Sequence, residues 1–155
     1  MKVGIVMTNE FKKCAIYLRV STAQQAEHGQ SLEVQRHQLI ARAISDGYKN
    51  EDIIIYEDPG ISGSKFENRP EILSLIERIQ SENNDIGKIY SFKLDRISRS
   101  THEIHWFINL CSECGVYYVS LKDGIDTSNQ TLGKILVTVF GLVSELELDN
   151  IKVRC

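Results

Sequence analysis

The chain of 155 residues carries 18 lysines and arginines against 21 aspartates and glutamates, and 42% of its residues are hydrophobic. This length suits one globular domain with a proper core, and a net charge of −3 argues against an extended basic surface, so any contact with nucleic acid must be local. No apolar run is long enough for a transmembrane helix or a signal-peptide core, which favours a cytoplasmic protein. Four unevenly spaced cysteines predict reduced thiols rather than a disulfide framework.

The first predicted element is a buried strand over residues 14–20, which ends in Arg19 and Val20 and is followed by Ser21. Parallel α/β sheets bind ligands at the carboxyl ends of their strands, and the alternation of side chains puts Arg19 and Ser21 on the same face. This predicts a hydroxyl nucleophile beside a fixed positive charge. Turn preferences alone leave a second interpretation, in which Ser21 caps the next element and Arg19 is a surface charge.

Helices and strands alternate along the rest of the chain, as the spacing of apolar residues indicates. Predicted helices cover residues 31–46, 70–80 and 101–114, and predicted strands cover residues 53–56, 88–92 and 116–121. Ser100 and Glu103 have the spacing of a capping box at the start of the third helix, and residues 122–129 are predicted as a loop. This order predicts an α/β fold with a mostly parallel central sheet and flanking helices.

The last predicted helix begins near Gln130 and continues to the end of the chain. Its apolar residues recur at the spacing of a coiled-coil seam: Leu132, Leu136, Val139, Val143 and Leu146. Further apolar residues lie on other faces of this helix, more than one face can bury. We therefore expect part of the helix to pack against a second subunit. The alternative is a helix that only covers its own sheet. The pattern has no stop signal, so we expect the helix to continue in a longer chain.

Charged residues lie at or after the ends of three of the predicted strands, at the edge where a parallel sheet gathers its carboxyl ends. They are Arg19, Asp58, Arg69, Lys93, Asp95, Arg96 and Arg99. Arginine binds phosphate through a planar fork of donors, and several arginines stabilise a pentacoordinate phosphoryl transition state without a metal. Serine is a weak nucleophile unless such a field activates it. The sequence therefore predicts phosphoryl-transfer chemistry at Ser21.

Other kinds of site find little support in the sequence. The stretch His102-Glu103-x-His105 does not match the zinc motif H-E-x-x-H, and we predict a solvated helix face there. Cys111-x-x-Cys114 has no second ligand pair, so we expect no metal. The glycine patterns of nucleotide-binding loops are absent, so no cofactor is expected, and the acidic pair of a signalling receiver domain is missing after the first strand.

Five motifs, taken in order, resemble the serine site-specific recombinases, the family of resolvases, DNA invertases, serine integrases and serine transposases. The motifs are Tyr17-x-Arg19-Val20-Ser21, Ser31-Leu32-Glu33-x-Gln35, Asp58-x-Gly60-x-Ser62-Gly63, Asn68-Arg69-Pro70 and Leu94-Asp95-Arg96-Ile97-Ser98-Arg99. The resemblance covers about residues 15–154 and implies a resolvase-like catalytic fold.

The resemblance also implies a role for each matching residue. Ser21 would attack a DNA phosphodiester, forming a 5′-phosphoserine link and freeing a 3′-hydroxyl, while Asp95 would orient an arginine or take part in proton transfer. Four arginines would hold the phosphate: Arg19, Arg69, Arg96 and Arg99. Phosphate-binding or supporting roles are implied for Tyr17, Gln25, Gln35, Asp58, Arg69 and Lys93.

The partners and organisation that the resemblance implies are those of a DNA recombinase. The expected substrate is a double-stranded recombination site, bound by a dimer and joined in a tetrameric synapse, and the expected origin is bacterial, phage or another mobile element. Residues 1–13 are predicted as an extension, 14–129 as the catalytic domain and 130–155 as an interface helix that includes Glu147, with a DNA-binding domain expected to follow. The extension and the long segment between Ser21 and Ser31 favour the integrase or transposon branch. A non-catalytic regulatory relative and a DNA-nicking phosphoesterase remain the alternatives.

Overall fold

The computed structural model describes residues 12–20, 31–60 and 66–154, apart from the side chains at 20, 67, 130, 133 and 147–154. Within these ranges the chain forms a five-stranded sheet in the order β2-β1-β3-β4-β5. The strands are β1 (Lys13–Val20), β2 (Ile53–Pro59), β3 (Ile86–Ser91), β4 (Tyr117–Ser120) and β5 (Ile125–Asp126). The first four pair in parallel, and β5 pairs antiparallel with β4. The predicted α/β fold with a mostly parallel sheet is therefore confirmed.

The helices of the described ranges begin and end at local signals in the sequence. They are α1 (Leu32–Ser45), α2 (Pro70–Gln80), α3 (Thr101–Glu113) and α4 (Gln130–Arg154). Ser31 caps α1, because its Oγ atom accepts a hydrogen bond from the Val34 amide at 3.1 Å, and Pro70 occupies the first turn of α2. In the part of the chain that the structure describes, none of the helices combines the length and the apolar character needed to cross a bilayer.

The central strand β1 is buried on both faces. Cys14, Ile16 and Leu18 face a core that includes residues of α1, whereas Ala15 and Tyr17 face a second core with residues of α2 and α3. A strand covered by helices on both faces requires a continuous apolar run, which is the pattern of β1. The first charged side chain after this run is that of Arg19, so the strand carries an arginine to the edge of the core.

The strand β2 runs past the point where the sequence predicts a turn. It continues through Pro59, whereas the predicted strand ends at Tyr56. The continuation pairs Asp58 with Arg19 and Pro59 with Val20 in parallel register. Because β2 lies at the edge of the sheet, it tolerates a proline, which cannot donate to the ladder.

The predicted loop over residues 122–129 contains β5, so the loop prediction is wrong at these two positions. Gly124, at φ +68°, lies in the turn between β4 and β5. The Thr127 amide donates to the Tyr118 carbonyl at 2.9 Å, and the Tyr118 amide donates to Thr127 Oγ1 at 2.8 Å. A strand of two residues has no periodicity that a sequence pattern could reveal.

The predicted capping box of α3 forms only in its serine half, and Ser98 replaces the direct bond between the Ser100 amide and the Glu103 carboxylate. The Glu103 amide donates to Ser100 Oγ at 3.3 Å, as the motif requires. The Glu103 carboxylate, however, accepts a hydrogen bond from Ser98 Oγ at 2.5 Å, and that hydroxyl accepts one from the Ser100 amide at 2.9 Å. The start of α3 is therefore linked through Ser98 to the charged segment that precedes it.

The helix α4 packs against two histidines of α3. His102 Nδ1 lies 2.9 Å from Ser144 Oγ, and a Cβ atom added at Gly141 would lie 3.2 Å from His105 Nε2. The predicted solvated face therefore holds for His102, which stays exposed beside Ser144, but is wrong for His105, which is half-buried against α4. Small residues at positions 141 and 144 allow the close approach of the helices and decide which face of α4 turns outward.

Candidate active site

The described residues of the candidate site lie at the carboxyl edge of the sheet. Arg19 stands near the end of β1 opposite Asp58 of β2, and Arg69 is the N-cap residue of α2. The segment 93–99 follows β3 and includes a 3₁₀ turn, Leu94–Arg96. Residues from three predicted strand ends are therefore gathered at one edge. Ser21 and Gln25 lie outside the described residues.

A buried hydrogen-bond network joins β1, β2 and α2 beneath this edge. The Tyr17 hydroxyl donates to Asp58 Oδ2 at 2.8 Å, and Arg69 Nε donates to the Tyr17 oxygen at 3.1 Å. Asp58 also accepts hydrogen bonds from the amides of Glu71 and Ile72, both at 2.9 Å, in the first turn of α2. Burial raises the pKa of Tyr17 while the charge of Arg69 lowers it, and the phenol remains a protonated donor. Asp58 thus anchors a helix N-terminus, where a carboxylate is favourable.

The guanidinium of Arg69 is occupied within the protein. The residue is only 1% exposed, and its Nη1 and Nη2 atoms donate to the carbonyl oxygens of Ile97 at 2.6 Å and Arg96 at 2.9 Å. Its Cζ atom lies 5.1 Å from the ring centroid of Phe66 and 5.3 Å from that of Tyr17. These contacts favour a supporting role for Arg69, in which it holds the segment that carries Arg96.

The 3₁₀ turn presents a charged pair with an unsatisfied donor. Arg96 Nη1 donates to Asp95 Oδ1 at 2.7 Å, and Arg96 is 6% exposed. Among the described residues, Arg96 Nε has no hydrogen-bond partner. A buried donor without a partner is costly, so this N–H is available to an anion that binds at the site. Lys93 is half-buried and Arg99 is exposed on the same segment.

Burial and neighbouring positive charges both affect the pKa of Arg19. Burial lowers the pKa of Arg19, the charge of Arg69 lowers it further, and the charges of Arg99 and Arg96 add to the effect. The geometry agrees, because Arg69 bonds both to Tyr17 of β1 and to the carbonyl oxygen of Arg96, which brings the 3₁₀ turn next to the end of β1. Repulsion among fixed cations is relieved when an anion binds between them, so a cluster of arginines suits an anionic group such as a phosphate.

Asp123, which the sequence suggests only as a turn residue, contacts this segment. Its Oδ2 atom accepts hydrogen bonds from the Leu94 amide at 2.7 Å and from Ser120 Oγ at 2.6 Å. Asp123 also lines a cleft of about 540 Å³ together with Lys93, Leu94, Asp95, Ser98, Arg99, Ile104 and Ile125. No sequence signal beyond a turn-forming residue after a strand could have placed it there.

The other predicted site residues lie apart from these contacts or are structural. Gln35 is fully buried on α1. Burial raises the pKa of the Cys111 and Cys114 thiols, so both favour the protonated form. Within ranges 12–20, 31–60 and 66–154 no group of three or more His, Cys, Asp or Glu residues could hold a metal ion.

The predicted interface residues of α4 differ in exposure. Val139 and Leu146 are 47% and 62% exposed, and Val143 is exposed as well. Leu132 and Leu136 are half-buried, whereas Ile135 and Leu142, which the predicted seam leaves out, are exposed. The side chain of Glu147 is outside the described residues. The exposed apolar stripe of α4 is therefore formed by Ile135, Val139, Leu142, Val143 and Leu146.

The α/β domain gathers arginines at the carboxyl edge of a mostly parallel sheet, and comparisons with known proteins identify its family. The sequence profile described as "Resolvase, N terminal domain" matches residues 14–155. The chain therefore belongs to the resolvase N-terminal domain family, whose members are serine recombinases. This confirms the resemblance seen in the motifs.

Individual relatives support the same family membership. The chain is 30% identical over 138 residues to the DNA-invertase hin of Salmonella typhimurium, covering 89% of this chain and 62% of the invertase. It is 32% identical over 91 residues to the transposon Tn917 resolvase of Enterococcus faecalis, covering 59% of this chain and 46% of that resolvase. The chain thus spans about half to three fifths of the length of these relatives.

A solved structure agrees with the fold. The N-terminal catalytic domain of TP901-1 integrase is 35% identical to this chain and superposes with a TM-score of 0.75, over 89% of this chain and 98% of the integrase domain. Invertases, resolvases and an integrase all resemble the chain, so its assignment to the integrase or transposon branch stays a prediction.

Proposed function

We propose that the protein is a site-specific DNA recombinase that cuts and rejoins DNA through a covalent serine intermediate. Ser21 Oγ loses its proton and bonds to the phosphorus of a phosphodiester, and the bond from phosphorus to the 3′-oxygen breaks. The released 3′-oxygen takes up a proton, and the protein stays linked to the 5′-phosphate. Rejoining reverses these steps with a 3′-hydroxyl from another strand.

The observation that carries this proposal is the cluster of arginines next to the end of β1. Arg19 lies near the end of β1, and Arg69 links this strand to the turn that carries Arg96. Arg19, Arg96 and Arg99 would face the phosphate, and Arg96 retains an unpartnered N–H among the described residues. Arg69 and Tyr17 would support this surface from the core, and Asp95 would orient Arg96. Such preorganised charge is a main source of catalysis in phosphoryl transfer.

Two other functions would use parts of the same site. A non-catalytic relative would keep the fold without needing an arginine cluster that costs electrostatic repulsion. A nicking phosphoesterase would pass the phosphate to water instead of another DNA end. The arginine cluster argues against the first, and the fate of the covalent link distinguishes the second.

The test is capture of the covalent intermediate. The intact protein is incubated with a library of duplexes that carry a randomised segment, and DNA linked to protein is recovered under denaturing conditions and sequenced. We expect recovered duplexes to share a sequence and to be joined to Ser21 by the 5′-phosphate in mass spectra. In a parallel reaction that is not denatured, the cleaved duplexes should be religated. Nicked products without a link would support the phosphoesterase, and unchanged DNA would support the non-catalytic relative.

Arg99→Ala is expected to slow formation of the adduct about 100-fold, the usual scale for loss of one preorganised charge stabiliser. The matched control is Arg42→Ala, because Arg42 is an arginine whose partners are Asp46 and Asp126, away from this segment. Single-turnover rates on the selected duplex provide the measurement. Equal rates for Arg99→Ala and wild type would show that Arg99 does not contribute to formation of the adduct.

We further propose that the exposed apolar stripe of α4 packs against a second copy of the protein. Ile135, Val139, Leu142 and Leu146 follow the 4-3-4 spacing of a coiled-coil seam and face away from α3. The relatives of the chain are named as invertases and resolvases, and breaking two duplexes would need one serine for each strand. A dimer on each site and a tetramer in the synapse would satisfy this count.

Val139→Asp is expected to weaken self-association of the protein at least about tenfold, because a buried interface would then contain an unpaired charge. Thr138→Asp is the matched control, since Thr138 is exposed on α4 and lines a cleft against α3. Sedimentation equilibrium measures association, and circular dichroism checks the fold. Equal association of the two variants would show that α4 serves only its own core.

A further inference from the structure

Asp123 makes contacts that the proposed steps do not use. It lies between Ser120, at the end of β4, and Gly124, and its Oδ2 atom accepts hydrogen bonds from the Leu94 amide and the Ser120 hydroxyl. The Leu94 amide is the first N–H of the 3₁₀ turn, a donor that the turn itself cannot satisfy. Asp123 therefore caps the turn from a neighbouring strand connection.

The same turn is held at its other end from α2. Arg69 donates to the carbonyl oxygens of Arg96 and Ile97. The turn thus has a carboxylate at its first amide and a guanidinium at its last carbonyls, both charge-assisted contacts that are roughly twice as strong as neutral hydrogen bonds. Neither residue lies on the segment itself. The position of Arg96 consequently depends on two groups brought to the segment by other parts of the fold.

We propose that Asp123 is a positioning residue of the recombinase, whose carboxylate holds the 3₁₀ turn so that Arg96, oriented by Asp95, meets the scissile phosphate. The inference rests on the proposed function and acts through Leu94, whose amide Asp123 accepts at 2.7 Å. Charge stabilisation is effective only when its groups are held before the reaction begins. Loss of Asp123 would leave the arginine present but less well placed.

The test compares Asp123→Ala with Asp123→Asn in single-turnover cleavage of the duplex selected with wild-type protein. We expect Asp123→Ala to form the adduct roughly 10- to 100-fold more slowly, the scale of a small misplacement of catalytic groups. Its affinity for the duplex and its melting temperature should stay near wild type. Asp123→Asn retains an acceptor oxygen and should recover most of the rate, and the Leu94 amide resonance should move in the alanine variant but stay near its original position in the asparagine variant.

Asp126→Asn is the matched control, because Asp126 lies in the same hairpin and bonds to Arg42 and Ser128 instead of the charged segment. It should cleave at the wild-type rate. If wild type forms the adduct and Asp123→Ala forms it equally fast, positioning by Asp123 is wrong while the proposed function stands. Parallel loss of DNA affinity and melting temperature would instead reveal a purely structural residue. Absence of any wild-type adduct would overturn the proposed function and the positioning role with it.

Discussion

Alanine at position 21 is expected to abolish the covalent protein–DNA adduct, with DNA cleavage at least roughly 10⁴-fold slower than in wild type. The reason is chemical, since the serine oxygen is the atom that bonds to phosphorus and alanine has none. The arginine cluster next to Val20 would still bind the phosphate. Affinity for the selected duplex should therefore persist, measured by gel shift, while denaturing gels show no linked species.

Ser45→Ala provides the control for the loss of a serine hydroxyl, because Ser45 is an exposed residue at the end of α1. It should form the adduct at the wild-type rate. Ser21→Cys retains a nucleophile and should give a slower but detectable link. An adduct at wild-type level in Ser21→Ala would mean that another residue attacks the phosphate, and its position could be mapped by mass spectrometry.

The order of helices and strands could be predicted because local patterns of apolar and capping residues indicate most elements of this fold. The continuous apolar run of β1 reflects helices on both of its faces, and Ser31 and Pro70 mark helix starts through their own chemistry. Boundaries that depend on distant residues could not be predicted. Pro59 remains in β2 because that strand lies at the sheet edge, a fact that no local window contains.

The residues of the candidate site could be predicted from the sequence, but the separate role of each residue could not. The sequence places several arginines after strands, and all look alike as phosphate ligands. Only the fold shows that Arg69 donates hydrogen bonds to the Tyr17 oxygen and to two backbone carbonyls. Arg96, by contrast, has one N–H group without a partner among the described residues. The contact of Asp123 with the charged segment could not be predicted for the same reason, because its partner Leu94 lies far away in the chain.

The outward face of α4 shows a similar limit. Apolar residues occur on several faces of this helix, so its sequence is compatible with more than one heptad seam. The packing of Gly141 and Ser144 against two histidines of α3 chooses among them, leaving Ile135 and Leu142 exposed and Leu136 half-buried. Small residues carry little weight in a hydrophobic pattern, yet here they determine the orientation of the helix.

A fully buried and a half-buried arginine at the two ends of α2 should contribute very differently to stability. Arg69→Met is expected to lower the free energy of unfolding by about 3 kcal/mol, because the variant leaves buried carbonyls of Arg96 and Ile97 without donors. Relief of repulsion on Arg19 offsets only part of this loss. In a domain of this size, the melting temperature should fall by roughly 6–12 °C.

Arg78→Met is the matched variant at the other end of the helix. Arg78 Nε and Nη2 donate to the Asp85 carboxylate at 2.8 and 2.7 Å, which raises the pKa of Arg78 and lowers that of Asp85. The paired side chains are 33% and 40% exposed, so solvent screening should limit the loss to below about 1 kcal/mol. Denaturant unfolding of both variants measures the difference. Equal losses would show that burial of the Arg69 network does not set its strength, and the support that Arg69 gives to the catalytic turn would then have to be reconsidered.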